Sequence, residues 1–489
     1  MKLSNESFRL FLIFGLIVLI PSCAVNPVTG KKQLMLMTEQ QEVALGAQYH
    51  PSVLSTFGEY NDSPELSGFI TEKGTEIGKI SHRSNLDYHF KILDSPVINA
   101  FAVPGGYVYF TRGILAQFNN EAELIGVLGH EIGHITARHS VSQQSKQQLG
   151  QLLLMGGMIA SEKFREFGMY AMQGMELLFL KFSRDNEREA DRLGVEYTSK
   201  IGYDANEMAN FFDVLNKMQM ESEHGGVPTF MSTHPDPGER YKAVKLKSKV
   251  WQDSLQRTDW VVNSDSYLRM IDGLVYGEDP RQGFVENDFF YHPGMKFKYP
   301  VPGNWQVQNS PIQVQMAPKD GNALMIFTQA PQKTLEEAGQ KTLQDLNLTV
   351  LDSKRTSVNG FPAIAAISQQ VSQNQQTGEQ LVIKVMSYLI DYNNMILVFH
   401  GVASDSNFNT YYRTFEYTMS NFDKLTDPAK LNVQAQRIKI VEAHKTTTLA
   451  EIFNSYRIQE SMLEELALLN NIELNERIEK GKLIKVVSN

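Results

Sequence analysis

The sequence lacks the features that mark a disulfide-rich or a nucleic-acid-binding protein. Its 489 residues include one cysteine, Cys23, so no intramolecular disulfide can form and packing must supply the stability. The net charge is −9, and lysine and arginine form no dense run. Because phosphate binding needs clustered cations, we expect no nucleic acid among the partners.

Long apolar runs are also scarce, and the one at the N-terminus is too short for a membrane span. Residues Leu10 to Ile20 follow Lys2 and Arg9. This is the layout of a secretory signal peptide, whereas a transmembrane helix needs about 20 apolar residues. We therefore predict that residues 1–22 are a signal peptide and that the protein is exported.

The segment Ile20-Pro21-Ser22-Cys23 resembles the lipobox of bacterial lipoproteins. In a lipobox a small residue precedes a cysteine that is lipidated and becomes the mature N-terminus. The alternative is a lone buried cysteine. The resemblance implies a periplasmic lipoprotein with a membrane anchor on Cys23, and Ala24 implies sorting to the outer membrane.

The length predicts several domains, since a domain of about 150 residues is typical. Residues 26–246 are mostly helical in pattern, but "NAFAVPGGYVYFT" at 99–111 predicts two short strands and a turn. Residues 288–425 combine alternating apolar runs with a helical stretch at 334–347, which predicts an α+β domain with an antiparallel sheet. Residues 437–489 predict strand, helix, helix and strand, and residues 251–287 a connecting segment.

The strongest chemical signal is the sequence His130-Glu131-Ile132-Gly133-His134. Residues four apart lie on one helix face, so His130 and His134 can bind one metal ion while Glu131 takes a proton from a metal-bound water. With this composition, chance would produce such a match on the order of 0.02 times per chain. The surrounding helix is apolar and can be capped by Asn119 or Asn120, which disfavours two merely solvent-facing histidines. We predict one Zn²⁺ per chain.

The residues alone leave the third ligand open, because the charged segment 183–192 equally suits a solvated helix face. The HEIGH motif, "FSRDNEREADRLG" and "NAFAVPGGYVYFTRGIL" together resemble the HtpX-like and BepA/LoiP-like family of bacterial zinc metalloproteases, relatives of the CaaX prenyl proteases. The resemblance implies that Glu187 is the third ligand, that Asp191 orients a ligand histidine, and that Glu189 is out of register. It also implies a mainly α, zincin-type metalloprotease domain with a small β-sheet at 23–250.

The same resemblance assigns a role to Thr233-His234-Pro235 and to the arginine six residues after the histidine. It implies that His234 and Arg240 lie at the active site. There His234 would either occupy the open zinc position in a resting state or stabilise the oxyanion. The alternative is a loop histidine before a proline turn.

On the substrate side, Asn99, Ala100, Phe101 and Ala102 would hold an extended peptide if their strand is an exposed sheet edge. Such backbone pairing suits a protease of unfolded or misassembled envelope proteins. The methionine-rich stretch at 150–175 fits a core helix pair better than a lid over the cleft.

The last unit resembles a LysM module at Thr448-Leu449, Leu469-Asn470-Asn471 and Gly481. The resemblance implies a small LysM-like βααβ unit and peptidoglycan as a further partner, although the usual Pro-Gly-Asp turn is replaced by residues 444–447. Two alternatives to the endopeptidase stay open. One is a peptidoglycan- or partner-binding lipoprotein with a chaperone-like or vestigial protease domain, and the other is a peptidoglycan hydrolase that uses the same metal.

Overall fold

The structure is a computed structural model that describes residues 23–145, 182–221, 229–373 and 380–488. The predicted signal peptide and the methionine-rich stretch at 150–175 lie outside these ranges. Within them, no helix has the combined length and apolarity that a bilayer crossing requires. Cys23 begins the first strand, and its lipidation stays a prediction.

A mainly helical region carries the HEIGH motif and contains a small mixed sheet. Its strands are β1 (Cys23–Val25), β2 (Lys32–Leu34), β3 (His89–Leu93), β4 (Ala100–Val103) and β5 (Tyr107–Thr111), and its helices are α1 (Glu39–Phe57), α2 (Pro64–Ile80), α3 (Arg112–Gln117), α4 (Glu121–Thr136), α5 (Arg184–Lys200), α6 (Asn206–Glu221), α7 (Thr229–Thr233), α8 (Pro237–Leu255) and α9 (Ser264–Met270). In the three-stranded sheet β5 is central, parallel to β3 and antiparallel to β4. The two strands predicted at 99–111 are present, whereas β3 was not predicted.

Helix α4, which contains the motif, is buried along its whole length. It begins after Asn120, whose side chain accepts a hydrogen bond from the Glu123 N–H at 2.8 Å. The Glu123 carboxylate in turn accepts one from the Asn119 N–H at 2.6 Å, so two donors at the helix start are satisfied. Helices α2, α5 and α6 and strand β4 pack around α4. The motif therefore lies in the core of this region.

Glycines let α4 and α5 approach closely. A Cβ atom on Gly194 of α5 would lie 3.0 Å from the His130 nitrogen, and one on Gly129 of α4 would lie 3.1 Å from the Gly194 carbonyl oxygen. Both separations are shorter than ordinary carbon contacts of about 3.5–4.0 Å. The two backbones can therefore touch only because these positions carry no side chain.

Residues 251–287, which were predicted to be a connecting segment, pack for much of their length against the helical region. Helix α8 continues through Val250 to Leu255, and α9 buries Tyr267 completely. The Tyr267 hydroxyl donates to the Leu115 carbonyl at 2.6 Å, and Leu268, Ile271 and Leu274 join the same apolar core. Burial against distant residues, which local composition does not report, makes this segment part of the helical region.

A β-rich region follows, as predicted for 288–425. Its strands are β6 (Phe284–Glu286), β7 (Phe289–His292), β8 (Phe297–Pro300), β9 (Trp305–Ser310), β10 (Gln313–Pro318), β11 (Ala323–Ala330), β12 (Thr349–Val358), β13 (Phe361–Gln373), β14 (Gln380–Tyr392), β15 (Met395–Ser404) and β16 (Asp423–Lys424), and its helices are α10 (Leu335–Asp345) and α11 (Asp405–Ser420). A seven-stranded antiparallel sheet has the order β12-β13-β14-β15-β11-β10-β9, and a smaller sheet has the order β16-β8-β7-β6. The helix predicted at 334–347 corresponds to α10, which Thr334 caps.

The last region contains a strand, two helices and a strand in that order, together with two further two-residue strands. Its elements are α12 (Pro428–Leu431), β17 (Arg437–Glu442), β18 (Thr447–Thr448), α13 (Leu449–Ser455), α14 (Leu463–Asn470), β19 (Arg477–Ile478) and β20 (Leu483–Ser488), with β17 antiparallel to β20. Its apolar side chains do not form a separate core, because they belong to the same buried cluster as the helical region. The resemblance to a LysM module stays a prediction.

Lys485 on β20 fastens this last region to the helical region. Its side chain is fully buried, and Nζ donates to the carbonyls of Ala116, Gln117 and Phe118 at 2.9, 3.4 and 3.1 Å. These carbonyls lie at the end of α3, just before α4 begins. Burial lowers the pKa of Lys485 and raises that of the nearby Glu123 carboxyl. The Lys485 side chain is thus held by three backbone carbonyls, and the Glu123 carboxyl lies nearby.

We predict that Lys485→Met destabilises the protein by about 3–5 kcal/mol, because it leaves three buried carbonyl oxygens without their hydrogen-bond donor. Urea denaturation provides the measurement. The matched control is Lys482→Met, at an exposed position of the same segment, and its effect should stay within about 0.5 kcal/mol. Equal effects of the two substitutions would contradict the anchoring role.

We also predict that Gly194→Val destabilises the protein by about 1–3 kcal/mol more than Gly68→Val does. Gly68 lies in α2, where a Cβ atom would have no neighbouring atom within 4 Å, so its substitution reports helix propensity alone. The difference in free energy of unfolding between the two variants measures the close contact of α4 and α5. A difference near zero would show that the contact tolerates a side chain.

Candidate metal centre

Four buried side chains from three parts of the helical region converge on one point. His130 and His134 come from α4, Glu187 from the first turn of α5, and His234 from the residue that follows α7. One ligand atom from each lies within 4.8 Å of the others, and each residue is 1% exposed. The structure therefore brings the two motif histidines together with the distant carboxylate and with His234.

The distances among these atoms fit a tetrahedral cation. His130 Nε2 lies 3.0 Å from His134 Nε2 and 3.3 Å from His234 Nδ1. Glu187 oxygens lie 3.4 Å from His134 Nε2, 3.6 Å from His130 Nε2 and 3.1 Å from His234 Nδ1. Zinc bonds of about 2.0–2.2 Å in tetrahedral geometry place neighbouring ligand atoms about 3.3–3.6 Å apart. The donor set of three imidazoles and one carboxylate fits Zn²⁺ in both chemistry and size.

The protonation of His134 and Glu187 also suits a metal. Burial lowers the pKa of His134 well below its usual value, which keeps the imidazole neutral. Burial alone would raise the pKa of Glu187, but the charges of His234 and Arg240 and the hydrogen bonds from His134 and His234 bring it well below its usual value. A neutral imidazole and an ionised carboxylate are the forms that bind metal.

Glu131 lies beside this set without a hydrogen-bond partner. Among the described residues, neither of its carboxylate oxygens has a hydrogen-bond partner, and neither does Nε2 of His234, which makes only an ion-pair contact of 3.7 Å with Glu131 Oε1. A buried unpaired polar group is costly, so its presence indicates a functional constraint. Burial raises the pKa of Glu131. A carboxyl with a raised pKa is better suited to accept and return a proton near neutral pH.

Asp191 and Arg240 form the charged surroundings of His130. The Asp191 Oδ1 atom lies 2.9 Å from His130 Nδ1, and the Arg240 guanidinium holds the same carboxylate through two contacts of 2.7 and 2.9 Å. Arg240 also lies 3.1 Å from Glu187. Burial would raise the pKa of Asp191, but the Arg240 charge and the hydrogen bonds from His130 and Arg240 lower it to about 2. Asp191 is therefore charged and able to orient His130.

The strand predicted to hold substrate lies at a sheet edge but is not exposed. Within the described residues β4 pairs with β5 on one side, and Asn99, Ala100, Phe101 and Ala102 are at most 5% exposed. Phe101 stacks on Tyr109 with ring centres 5.0 Å apart, and β4 packs against α4. Both faces of the strand are packed, and the pairing of a substrate peptide with the backbone of this edge stays a prediction.

Several residues of the centre escaped the sequence analysis. The ring of Phe182 stacks on His134 with centres 4.0 Å apart, and that of Phe230 stacks on His234 at 4.4 Å. His139 lies 3.0 Å from His134, between it and Glu189. The sequence contains one sign of this contact: His139 follows His134 by five residues, and Glu189 follows Glu187 by two.

Comparison with known proteins agrees with this centre. Residues 67–247, which include all four ligand candidates, match Peptidase family M48. The chain is 29% identical over 231 residues to the Beta-barrel assembly-enhancing protease of Yersinia pestis, which is 45% of this chain and 47% of that protein. It is 28% identical over 208 residues to the protein of that name from Escherichia coli K12, covering 41% of this chain and 42% of that protein.

A mitochondrial relative extends the comparison. The chain is 25% identical over 259 residues to mitochondrial Metalloendopeptidase OMA1 of Bos taurus, covering 49% of this chain and 50% of that protein. The chain thus spans about half the length of the curated relatives it matches. The family match and the names of these relatives together support a metalloendopeptidase.

Proposed function

We propose that this protein is a zinc-dependent endopeptidase that hydrolyses peptide bonds of unfolded or misassembled envelope proteins. The observation that carries the proposal is the convergence of His130, His134 and Glu187 at the distances of a tetrahedral cation, with Glu131 unpaired beside them. The match of residues 67–247 to a peptidase family supports the same chemistry. The substrate class follows from the proposed pairing of the substrate with a sheet edge, because only an extended, unfolded chain can form such backbone hydrogen bonds.

In this proposal His130, His134 and Glu187 hold the metal, and Glu131 moves the proton. A bound Zn²⁺ would lower the pKa of a coordinated water and polarise the scissile carbonyl. Glu131 accepts a proton from the attacking water and delivers it to the nitrogen of the leaving amine, so the O–H and C–N bonds break as the C–O and N–H bonds form. Its raised pKa and lack of a competing donor support this role.

Asp191 and Arg240 act on the ligands in this proposal. Asp191 accepts a hydrogen bond from the Nδ1–H group of His130, which leaves the unprotonated Nε2 to face the metal. Arg240 offsets part of the negative charge of Glu187 and Asp191, which would otherwise repel each other. Arg240 therefore allows two ionised carboxylates to share a buried site.

His234 is, in this proposal, a fourth ligand in a resting conformation. Its Nδ1 atom lies 3.1 Å from Glu187 and 3.3 Å from His130 Nε2, which suits the fourth corner of the tetrahedron. A catalytic metal needs one open position, so His234 must leave before a substrate carbonyl can enter. Its place after the short α7, rather than within a long helix, supports such a movement.

The proposal places the protein in the periplasm, exported by residues 1–22 and held at the outer membrane by a lipid on Cys23. Peptidoglycan is an additional candidate partner, through residues 437–489. Labelling with a radioactive or clickable fatty acid tests the anchor, and a Cys23→Ser variant is its control. Digestion of purified sacculi distinguishes a peptidoglycan hydrolase from an endopeptidase.

We predict that Glu131→Gln lowers the cleavage of an unfolded protein such as casein by about 100-fold or more, because the proton acceptor is lost while the side-chain shape is kept. Chelation of the metal should abolish cleavage, and added Zn²⁺ should restore it. The matched control is Glu65→Gln, an exposed glutamate at the start of α2, which should cleave as the wild type does. Equal cleavage by wild type and Glu131→Gln would refute the proposed chemistry.

For His234→Ala we predict weaker zinc binding, by about 10-fold or more, together with faster cleavage of a short unfolded peptide. Removing a resting ligand opens the coordination position at the expense of affinity. His444→Ala, at an exposed histidine, should change neither property. Unchanged zinc affinity with a lower kcat would instead identify His234 as an oxyanion stabiliser.

A further inference from the structure

We propose that His139 and Glu189 are positioning residues for the metal ligand His134. His139 is 1% exposed and uses both ring nitrogens. Its Nδ1 atom lies 3.0 Å from His134 Nδ1, and its Nε2 atom lies 3.1 Å from Glu189 Oε2. The inference rests on the proposed metal centre, because it concerns the nitrogen of His134 that faces away from that centre.

The contacts fix the tautomers of both imidazoles. His134 directs Nε2 toward the other ligand atoms, so a neutral ring carries its proton on Nδ1. That N–H is donated to Nδ1 of His139, which must then be an acceptor. The His139 proton consequently lies on Nε2 and is donated to the Glu189 carboxylate. Each donor in the series thus meets an acceptor, and the series ends on a negative charge.

The arrangement mirrors the support of His130. Asp191 accepts directly from Nδ1 of His130 at 2.9 Å, whereas Glu189 acts on His134 through the intervening imidazole of His139. A carboxylate behind a ligand histidine fixes the ring orientation and raises its basicity. Both ligand histidines of α4 are therefore backed by carboxylates that lie on α5, two residues apart.

The backbone is shaped to bring His139 into this position. Helix α4 ends at Thr136, and Arg138 has φ of 55°, in the left-handed region that few residues other than glycine adopt. Arg138 is held there by the Glu42 carboxylate at 2.8 Å and by the Met37 carbonyl at 3.1 Å. This turn folds the chain back, so that the His139 ring meets the His134 ring edge-on with centres 5.0 Å apart.

Glu189 is also held from its far side. The Asn26 side chain, which is fully buried, hydrogen-bonds to Glu189 and donates to the Ala137 carbonyl at 3.4 Å. Arg192 lies 3.8 Å from the same carboxylate. Glu189 therefore has partners from the N-terminal segment and from its own helix, which restricts its orientation toward His139.

The test is the zinc affinity of the metal-free protein, measured by competition with a chromophoric chelator. We expect His139→Phe to raise the zinc Kd by about 10–100-fold, the usual effect of losing the partner of a ligand histidine. Glu189→Gln should raise it in the same direction, and the double variant should match His139→Phe, because Glu189 acts only through His139. The melting temperature of each metal-free variant reports purely structural damage.

The matched control is Glu196→Gln, which removes a carboxylate from the same helix that pairs with Arg192 and Lys200. Its zinc Kd should equal that of the wild type. Wild-type affinity in both His139→Phe and Glu189→Gln would overturn the inference and leave the proposed function intact. Failure of the wild type itself to bind zinc would overturn both. Should His139→Phe fail to fold, the zinc Kd of Glu189→Gln, a substitution at a partly exposed position, tests the inference by itself.

Discussion

The centre depends on the contact between α4 and α5. Helix α4 can present two histidines on one face by its own periodicity, but its own Glu131 is not in the group of ligand atoms, so the third ligand must come from another element. That ligand comes from α5, whose first turn must lie within a few ångströms of the histidine rings. Gly129 and Gly194 allow this because a side chain at either position would collide with the opposite backbone. The packing of two helices thus determines the chemistry.

Charge balance explains why the surrounding residues are arranged as they are. Three carboxyl groups, those of Glu131, Glu187 and Asp191, are buried around two groups that can be positively charged, the Arg240 guanidinium and the His234 imidazole, whose pKa Glu187 raises despite burial. Such an excess of buried negative charge is unfavourable without a further cation. A divalent ion among the imidazoles would compensate for it, and Glu131 can carry a proton when needed because burial raises its pKa. The excess of buried negative charge, which is unfavourable by itself, therefore favours the binding of a cation at this centre.

Local patterns predicted the elements that local interactions determine. The start of α4 at Asn120, the two strands within 99–111 and the α10 helix follow from capping, turn residues and periodicity. Glu187 was different, because its segment alone equally suited a solvated helix, and a family resemblance indicated its role. The burial of α9, the docking of Lys485 and the contact of His139 with Glu189 depend on residues far apart in sequence. No composition or periodicity within those segments reports such contacts.

Long-range contacts of this kind hold α4 at both ends. At its start, Lys485 of the last region donates to the Ala116 carbonyl in α3 and lies close to Glu123. At its end, Arg83 donates to the Ile135 carbonyl at 3.1 Å and pairs with Glu42, which also holds Arg138. Precise ligand geometry requires such a rigid support.

His234 has no equivalent support from a long helix. It follows the five-residue α7 and precedes Pro235 and Asp236, whose φ of 65° marks a turn. His234 is buried and stacks on Phe230, but the hydrogen bonds of a long helix do not hold its backbone. This difference from the other three ligand candidates agrees with the proposal that His234 is the ligand that makes way for substrate.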